Sequence, residues 1–345
     1  MIMSISESNA IVIERPRQAS FRKIKLTPVH ENGIICRTIM SAISSGTDMK
    51  TWMGLQPAEA LYYPLVPGYE NAGEVIEGSD GISKGTRVMI NECRQFGDIC
   101  AAWGGNSEYV VKDSFTAPGA FDSVAVIPEN LSYKEAVLAY LPCVSLKGIR
   151  RIPLEGNEKV LVTGAGMIGI SAIQILKILY PEITVISLEP HPFRREIASF
   201  YADHVLAPDG SEVKKLMEIC GGKLADAVIE CSGNASMPGT LHRFIKDGGW
   251  NKDDKPAHIH LQGDYPGRIV MDGYNKWFTK NCTITMTCAL APGGKEEILQ
   301  WMSEGRFDTS RFPVEIWPAG KCAEAYKYKE EKGEEVFKIL FDWQE

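Results

Sequence analysis

The stretch from Lys159 to Gly169 constrains this chain more than any other. The apolar run Val160-Leu-Val-Thr leads directly into Gly164-Ala-Gly-Met-Ile-Gly169, and a helical pattern follows over residues 170–179. A G-x-G-x-x-G placed between a buried strand and a helix suits a dinucleotide for physical reasons. Gly164 permits the tight turn, Gly166 lets the backbone approach a pyrophosphate, and Gly169 lets helix and strand pack closely. The start of the helix then offers unbonded N–H groups and the positive end of its dipole to the phosphates. The next strand, residues 183–188, ends at Glu189, and 189 − 164 = 25 residues matches the spacing at which a carboxylate reaches the adenosine ribose. Such a carboxylate accepts from both ribose hydroxyls and repels a 2′-phosphate, so NAD is the expected cofactor. Gly164, Gly166, Met167, Ile168, Gly169 and Glu189 are the expected contacts, and Arg194 and Arg195 follow closely enough to reach the adenosine phosphate region.

The surroundings of this loop divide the chain. Before Lys159, short β-branched runs such as Ala10-Ile-Val-Ile-Glu, Gly33-Ile-Ile-Cys-Arg-Thr-Ile and Ser107-Glu-Tyr-Val-Val are bounded by turn residues, which predicts an antiparallel, barrel-like domain. Ser132-Tyr-Lys-Glu135 reads as a capping box that opens a helix. After Lys159, strands that are apolar throughout alternate with helical patterns, including one around 241–245, which predicts a parallel sheet covered on both faces. Past Pro292 come a helix over 295–303, a strand near 314–316, a helix around 321–327 and a closing strand over 336–341. The nucleotide-binding unit therefore reads as an insertion within the other domain.

Charge and cysteine usage exclude several roles. The chain has 37 Lys and Arg against 44 Asp and Glu, a net charge of −7, and no basic run, so neither nucleic acid nor an anionic membrane is an expected partner. The opening residues hold no basic segment and no long apolar one, so no secretory signal is expected and the expected compartment is the cytoplasm. The nine cysteines contain no C-x-x-C pair, which argues against a zinc knuckle and leaves most of them as small buried apolar residues. His258 and His260 on the strand His258-Ile-His-Leu are expected to face opposite ways. Trp52, Trp103, Tyr274 and Trp277 either line a pocket or pack.

Three further segments carry a family resemblance: Ser44-Ser-Gly-Thr-Asp48, Pro64-Leu-Val-Pro-Gly-Tyr-Glu70 with Ala72-Gly-Glu-Val, and Gly104-Gly-Asn-Ser-Glu-Tyr-Val-Val. With the glycine loop, in this order, they resemble the medium-chain dehydrogenase/reductase family, the zinc alcohol and polyol dehydrogenases and their zinc-free relatives. The resemblance implies an α/β chain with a Rossmann dinucleotide-binding domain plus a GroES-like β-barrel catalytic domain. Residues 1–148 would form the GroES-like domain, 149–288 the Rossmann domain, and 289–345 a C-terminal segment returning to the first.

The departures from the family pattern matter as much as the matches. Ser45 stands where the family's first zinc ligand is a Cys, and Tyr69 where the second is a His; Cys143 lies near the third position. Only Cys93 and Cys100 fall in the region of the family's four-Cys lobe. A neutral serine hydroxyl and an ordinary tyrosine are poor zinc ligands, so no metal is expected. The pattern resembles the zinc-free branch that includes bacteriochlorophyllide-a dehydrogenase. The resemblance implies Thr47 as a relay hydroxyl, Lys50 at the far end of that relay, Tyr69 as a donor to the substrate oxygen, and Asp48 and Glu70 as supports. It also implies Cys231 beside the cofactor ribose and Gln262 near the nicotinamide.

The expected function is NAD-dependent oxidation of a secondary alcohol, such as a polyol, sugar derivative or specialised metabolite, or the reverse reaction, in a homodimer or homotetramer. Hydride transfer requires reacting atoms within about 3–3.5 Å, which sets Thr47 and Tyr69 beside the nicotinamide. Two other readings stay open: a zinc-free NAD(P)H-dependent reductase of enones or quinones, and a nucleotide-binding redox sensor without catalysis.

Overall fold

The computed structural model describes residues 5–27, 33–56, 62–79, 81–90, 96–97, 99–101, 103–112, 123–265 and 267–345, so Cys93 lies outside the described residues. The chain divides into two compact units. One takes residues 1–140, 292–305 and 312–345, the other 141–291 and 306–311.

The first unit is built from the short β-branched runs. They form β1 (Glu7–Arg15), β2 (Gln18–Lys25), β3 (Ile34–Ile43), β4 (Leu65–Val66), β5 (Asn71–Glu77), β6 (Arg87–Ile90), β7 (Cys100–Ala101), β8 (Tyr109–Lys112) and β9 (Ala125–Val126). Helix α1 (Thr47–Met53) follows β3 and stops at Gly54, whose left-handed φ of 74° ends the helix at no steric cost. Helix α2 (Tyr133–Val137) opens with the expected capping box, Ser132 and Glu135 each bonding the other's backbone N–H. It is followed by α3 (Tyr140–Ile149).

In the second unit the six strands β10 (Lys159–Thr163), β11 (Thr184–Leu188), β12 (His204–Leu206), β13 (Ala227–Glu230), β14 (His258–Leu261) and β15 (Thr283–Met286) form one sheet. Every pairing is parallel, and the order is β12-β11-β10-β13-β14-β15. The chain steps outward from β10 to β12 and then crosses to the other side for β13, so β10 and β13 flank the point where direction reverses. Ligands of open parallel sheets bind outside the carboxyl ends of the strands at such a point. Helices α4 (Met167–Leu179), α5 (Pro192–Ala198), α6 (Glu212–Ile219) and α7 (Tyr274–Phe278) accompany this sheet. The expected helix around 241–245 is a 3-10 segment over Pro238–Arg243.

The C-terminal elements belong to the first unit. They are α8 (Gly294–Ser303), β16 (Val314–Pro318), α9 (Cys322–Lys332) and β17 (Lys338–Asp342). Strand β17 lies antiparallel to β3, Ile339 opposite Ile43, and completes a sheet ordered β16-β17-β3-β5-β6-β9. Its side chains join Ile11, Ile13, Ile43, Trp52 and Tyr326 in a shared apolar core. Among the described residues no helix is long and apolar enough to cross a membrane.

Two expectations fail for identifiable reasons. His258 and His260 share one face of β14, because residues two apart in a strand point the same way. The Thr285 hydroxyl on the neighbouring strand bonds His258 Nε2 at 2.7 Å and His260 Nδ1 at 2.9 Å. Burial then pushes the His260 imidazole down to about 4, so it stays neutral. The cysteines are less uniformly buried than expected: Cys36, Cys143 and Cys322 are enclosed, whereas Cys100 and Cys288 are exposed. These aromatic residues divide between buried and exposed positions. Trp52 stacks on Tyr326 at 5.2 Å and Trp277 is buried beside His242, whereas Tyr274 is exposed and stacks on Phe278.

The first unit also buries a complete ion pair. Lys338 Nζ, at the start of β17, bonds Glu70 Oε1, and both side chains are fully enclosed. Breaking a buried pair by removing one partner strands a charge and costs about 3–5 kcal/mol. Lys338→Met should therefore lower stability to denaturant by that amount, whereas Lys338→Met combined with Glu70→Leu should recover most of it.

Candidate active site

The glycine turn after β10 has the geometry its sequence predicts. Gly164 has φ 87°, and a Cβ there would stand 2.7 Å from Ser232 Cα. At Gly169 a Cβ would overlap the Gly164 carbonyl oxygen. Both positions require glycine, one for conformation and both for close approach. Gly166 precedes the first residue of α4 and has open space where a Cβ would point, with only Arg194 Nη1 at 3.9 Å. The helix begins at Met167, three residues before its apolar periodicity shows, so Met167 and Ile168 form its first turn. That turn carries the N–H groups suited to a pyrophosphate.

Glu189 sits at the end of β11 and is turned toward this loop. Its Oε2 accepts the Ala165 N–H at 2.6 Å and its Oε1 the His191 N–H at 2.8 Å. The buried carboxylate is thus fixed by two backbone donors, and each oxygen keeps a lone pair for a further donor. Arg195 is occupied elsewhere, donating to the Glu189 and Pro190 carbonyls at 3.0 and 2.5 Å. Arg194 is the cation set beside the glycine turn.

Two other expected contacts are placed differently from each other. Cys231 packs behind the loop: its Cβ would lie 3.6 Å from a Cβ at Gly169, and burial pushes its thiol well above the usual range. Gln262, just past β14, is buried against Gly148, where a Cβ would overlap its Oε1. Its amide lies beside the His260 imidazole, which it helps to hold.

In the first unit, the Ser44–Asp48 segment turns into α1. Asp48 is fully buried and accepts the Ser44 N–H at 2.8 Å and the Gly68 N–H at 3.1 Å. Burial, aided by the nearby Glu70 charge, pushes its carboxyl up to about 7. Tyr69 is buried against Trp103 and Tyr140, and its hydroxyl bonds the Ser44 hydroxyl. Burial and the Glu70 and Asp48 charges push the Tyr69 phenol well above its ordinary range, so it remains protonated. Ser45 Oγ donates to the Phe337 carbonyl at 2.8 Å. Thr47 and Lys50 lie one turn apart on α1, both partly exposed. Glu70 is held by Lys338 and is not presented to a substrate.

The structure adds Ser44, Lys338 and Glu230 to the residues picked out from sequence. Lys338 was visible as a lone cation at the head of an apolar strand, and Glu230 as a carboxylate ending an apolar strand just as Glu189 does. Ser44 carried no signal apart from its place before Ser45.

The comparisons with known proteins fit this arrangement. Residues 32–136 match the alcohol dehydrogenase GroES-like domain. The L-galactonate-5-dehydrogenase of Escherichia coli K12 is 23% identical, over 94% of this chain and 95% of its own length. The 2-desacetyl-2-hydroxyethyl bacteriochlorophyllide A dehydrogenase of Rhodobacter capsulatus is also 23% identical, over 98% and 99%. An alcohol dehydrogenase from Escherichia coli CFT073, solved with NADH, superposes with a TM-score of 0.80 at 20% identity, covering 98% of this chain and all of that one. Residues 32–136 belong to the alcohol dehydrogenase GroES-like domain family, and the chain over nearly its whole length is similar to alcohol-dehydrogenase-like oxidoreductases and shares the fold of their solved structures.

The glycine geometry predicts an asymmetry between two similar substitutions. Gly169→Ala should unfold the second unit or lower its melting temperature by several degrees, because the methyl group has no room beside the Gly164 carbonyl. Gly166→Ala should leave the melting temperature nearly unchanged while weakening dinucleotide binding, measured by calorimetry.

Proposed function

We propose that this protein is an NAD-dependent oxidoreductase that interconverts a secondary alcohol and its ketone without catalytic zinc. The observation that carries this reading is the Glu189 carboxylate, fixed at the glycine turn by the Ala165 and His191 N–H groups. In that position it accepts the ribose hydroxyls of NAD, and it meets a 2′-phosphate with like charge. Arg194 beside Gly166 favours the pyrophosphate in either dinucleotide.

The family implies a zinc ion, and the residues present do not fit one. At the two ligand positions stand hydroxyls that are already engaged, Ser45 with Phe337 and Tyr69 with Ser44. Among the described residues no group of three or more His, Cys, Asp or Glu side chains is gathered to hold a metal. Zinc prefers thiolate, imidazole or carboxylate donors, and a phenol held protonated offers none of these. No step is therefore routed through a metal.

Hydroxyl groups take over the polarising role. The nicotinamide, when bound, accepts or supplies the hydride. Tyr69 holds the substrate oxygen through its phenolic O–H, which the Ser44 hydroxyl leaves free when Ser44 acts as the donor of their shared bond. The alcohol proton passes to Thr47 as the Thr47 hydroxyl gives up its own proton to water at the partly exposed start of α1, where Lys50, one helical turn on, is a nearby cation. The substrate is a small secondary alcohol such as a polyol or sugar derivative, a reading supported by the galactonate and hydroxyethyl dehydrogenases among the relatives. A second copy of the chain fits the outer edge of β15, the end strand of its sheet, where Met286 is exposed.

Glu189→Ala should weaken NAD binding by roughly tenfold and improve NADP binding, because one carboxylate serves both preferences. Tighter binding of NADPH than NADH by the unaltered protein contradicts this. Thr47→Val and Tyr69→Phe should each keep NAD affinity and lower turnover by roughly 100-fold, the usual contribution of a positioned proton-transfer group. Unchanged turnover in both would remove the hydroxyl mechanism.

A further inference from the structure

A second carboxylate mirrors Glu189 across the sheet. Glu230 ends β13, which lies on the opposite side of β10 from β11. Its Oε1 accepts the Ser232 N–H at 2.8 Å and the Ser232 hydroxyl, and its Oε2 accepts the Tyr265 hydroxyl. Its Oε2 also lies 3.1 Å from where a Cβ at Gly263 would stand, so the loop after β14 closes over it. The residue is fully buried, yet among the described residues no Lys or Arg pairs with it. These partners donate to the carboxylate and partly offset its burial, which on balance pushes the Glu230 carboxyl above its ordinary range. Glu70, by contrast, is buried with its own lysine. Glu230 keeps an uncompensated charge.

The position of that charge follows from the topology. A bound dinucleotide would place its pyrophosphate at the glycine turn after β10 and its adenosine toward Glu189 at β11. The other nucleotide therefore extends across the ends of β13 and β14, over the loops that Glu230 ties together. Ser232 is also the residue packed against Gly164, so the carboxylate is continuous with the glycine turn. The oxidised nicotinamide is a pyridinium cation and the reduced ring is neutral. Only the oxidised form gains from a buried negative charge beneath it.

We infer that Glu230 sets the preference between oxidised and reduced cofactor: its buried, unpaired carboxylate holds NAD+ more tightly than it would a neutral ring. The inference rests on the dinucleotide reading proposed above. Glu230 acts as a positioning and electrostatic residue and touches no reacting atom. A ligand shifts an equilibrium only by its differential affinity, so this preference makes bound NADH a stronger hydride donor and tilts the bound equilibrium toward the alcohol.

The test compares the binding of NAD+, NADH and ADP-ribose to the full-length protein by calorimetry. Glu230→Gln should reduce NAD+ affinity about tenfold relative to NADH, a size expected for one buried charge near another, with ADP-ribose affinity unchanged. Glu230→Asp, which keeps the charge, should retain most of the wild-type ratio. A ratio unchanged in Glu230→Gln, or an equal loss for all three ligands, overturns the inference. Failure of the unaltered protein to bind any of the three overturns the dinucleotide reading itself. If Glu230→Gln does not fold, the NAD+ to NADH affinity ratio of the unaltered protein decides between about pH 8 and about pH 5. It should fall on acidification, because burial pushes the Glu230 carboxyl above its ordinary range and it takes up a proton as the pH is lowered, and a flat ratio overturns the inference. The titratable neighbours Tyr265 and Cys231 are both pushed upward by burial and by the Glu230 charge, and they stay neutral over that range.

Discussion

Close approach of backbone to backbone at the glycine turn is the constraint on which the second unit depends. Gly169 brings α4 against the Gly164 carbonyl, and Gly164 in turn lies against Ser232 at the end of β13. Three strand ends are thereby drawn to one place, and each flanking strand delivers a carboxylate there. Both Glu189 and Glu230 take the N–H of the residue two places on. Glu189 is further tied to the loop backbone, whereas Glu230 is tied to hydroxyls. One carboxylate is consequently fixed at the glycine turn and the other lies beneath the loops after β13 and β14.

The first unit solves a different problem. It buries two acids and one base near the Ser44–Asp48 turn: Asp48, Glu70 and Lys338. Lys338 compensates Glu70, and Asp48 responds by holding its proton to about pH 7. This arrangement keeps Tyr69 neutral, because both acids and burial oppose a phenolate. A phenol that cannot ionise is a steady hydrogen-bond donor and a poor metal ligand. A tyrosine at residue 69, where the resemblance implies a histidine, offers a hydroxyl donor in place of an imidazole, and the surrounding charges hold that hydroxyl protonated.

Much of the second unit was legible in the sequence because its signals are local. A continuous apolar strand, a glycine spacing and a carboxylate one strand later report on backbone conformation within a few residues of themselves. The histidine pair was misread by a period error, since residues 258 and 260 differ by two and share a face. The segment over Pro238–Arg243 opens on a proline, which suits a regular helix and a 3-10 turn alike, so its sequence does not distinguish the two. In the first unit the positions of Ser45, Thr47 and Tyr69 were visible, but their partners were not. Lys338 lies 268 residues from Glu70, and Phe337 lies 292 from Ser45. Long-range pairings of this kind leave no periodicity to read, and only the fold of β17 onto β3 brings them together.

The proposed reaction is hydride exchange with a dinucleotide while hydroxyls stand at residues 45 and 69. The most direct measurement follows the absorbance of reduced nicotinamide during turnover of a panel of secondary alcohols with NAD+, on protein whose metal content is determined by elemental analysis. Turnover is expected from protein lacking stoichiometric zinc, unaffected by chelator and not raised by added zinc. Activity that tracks about one zinc per chain and disappears on chelation would contradict it.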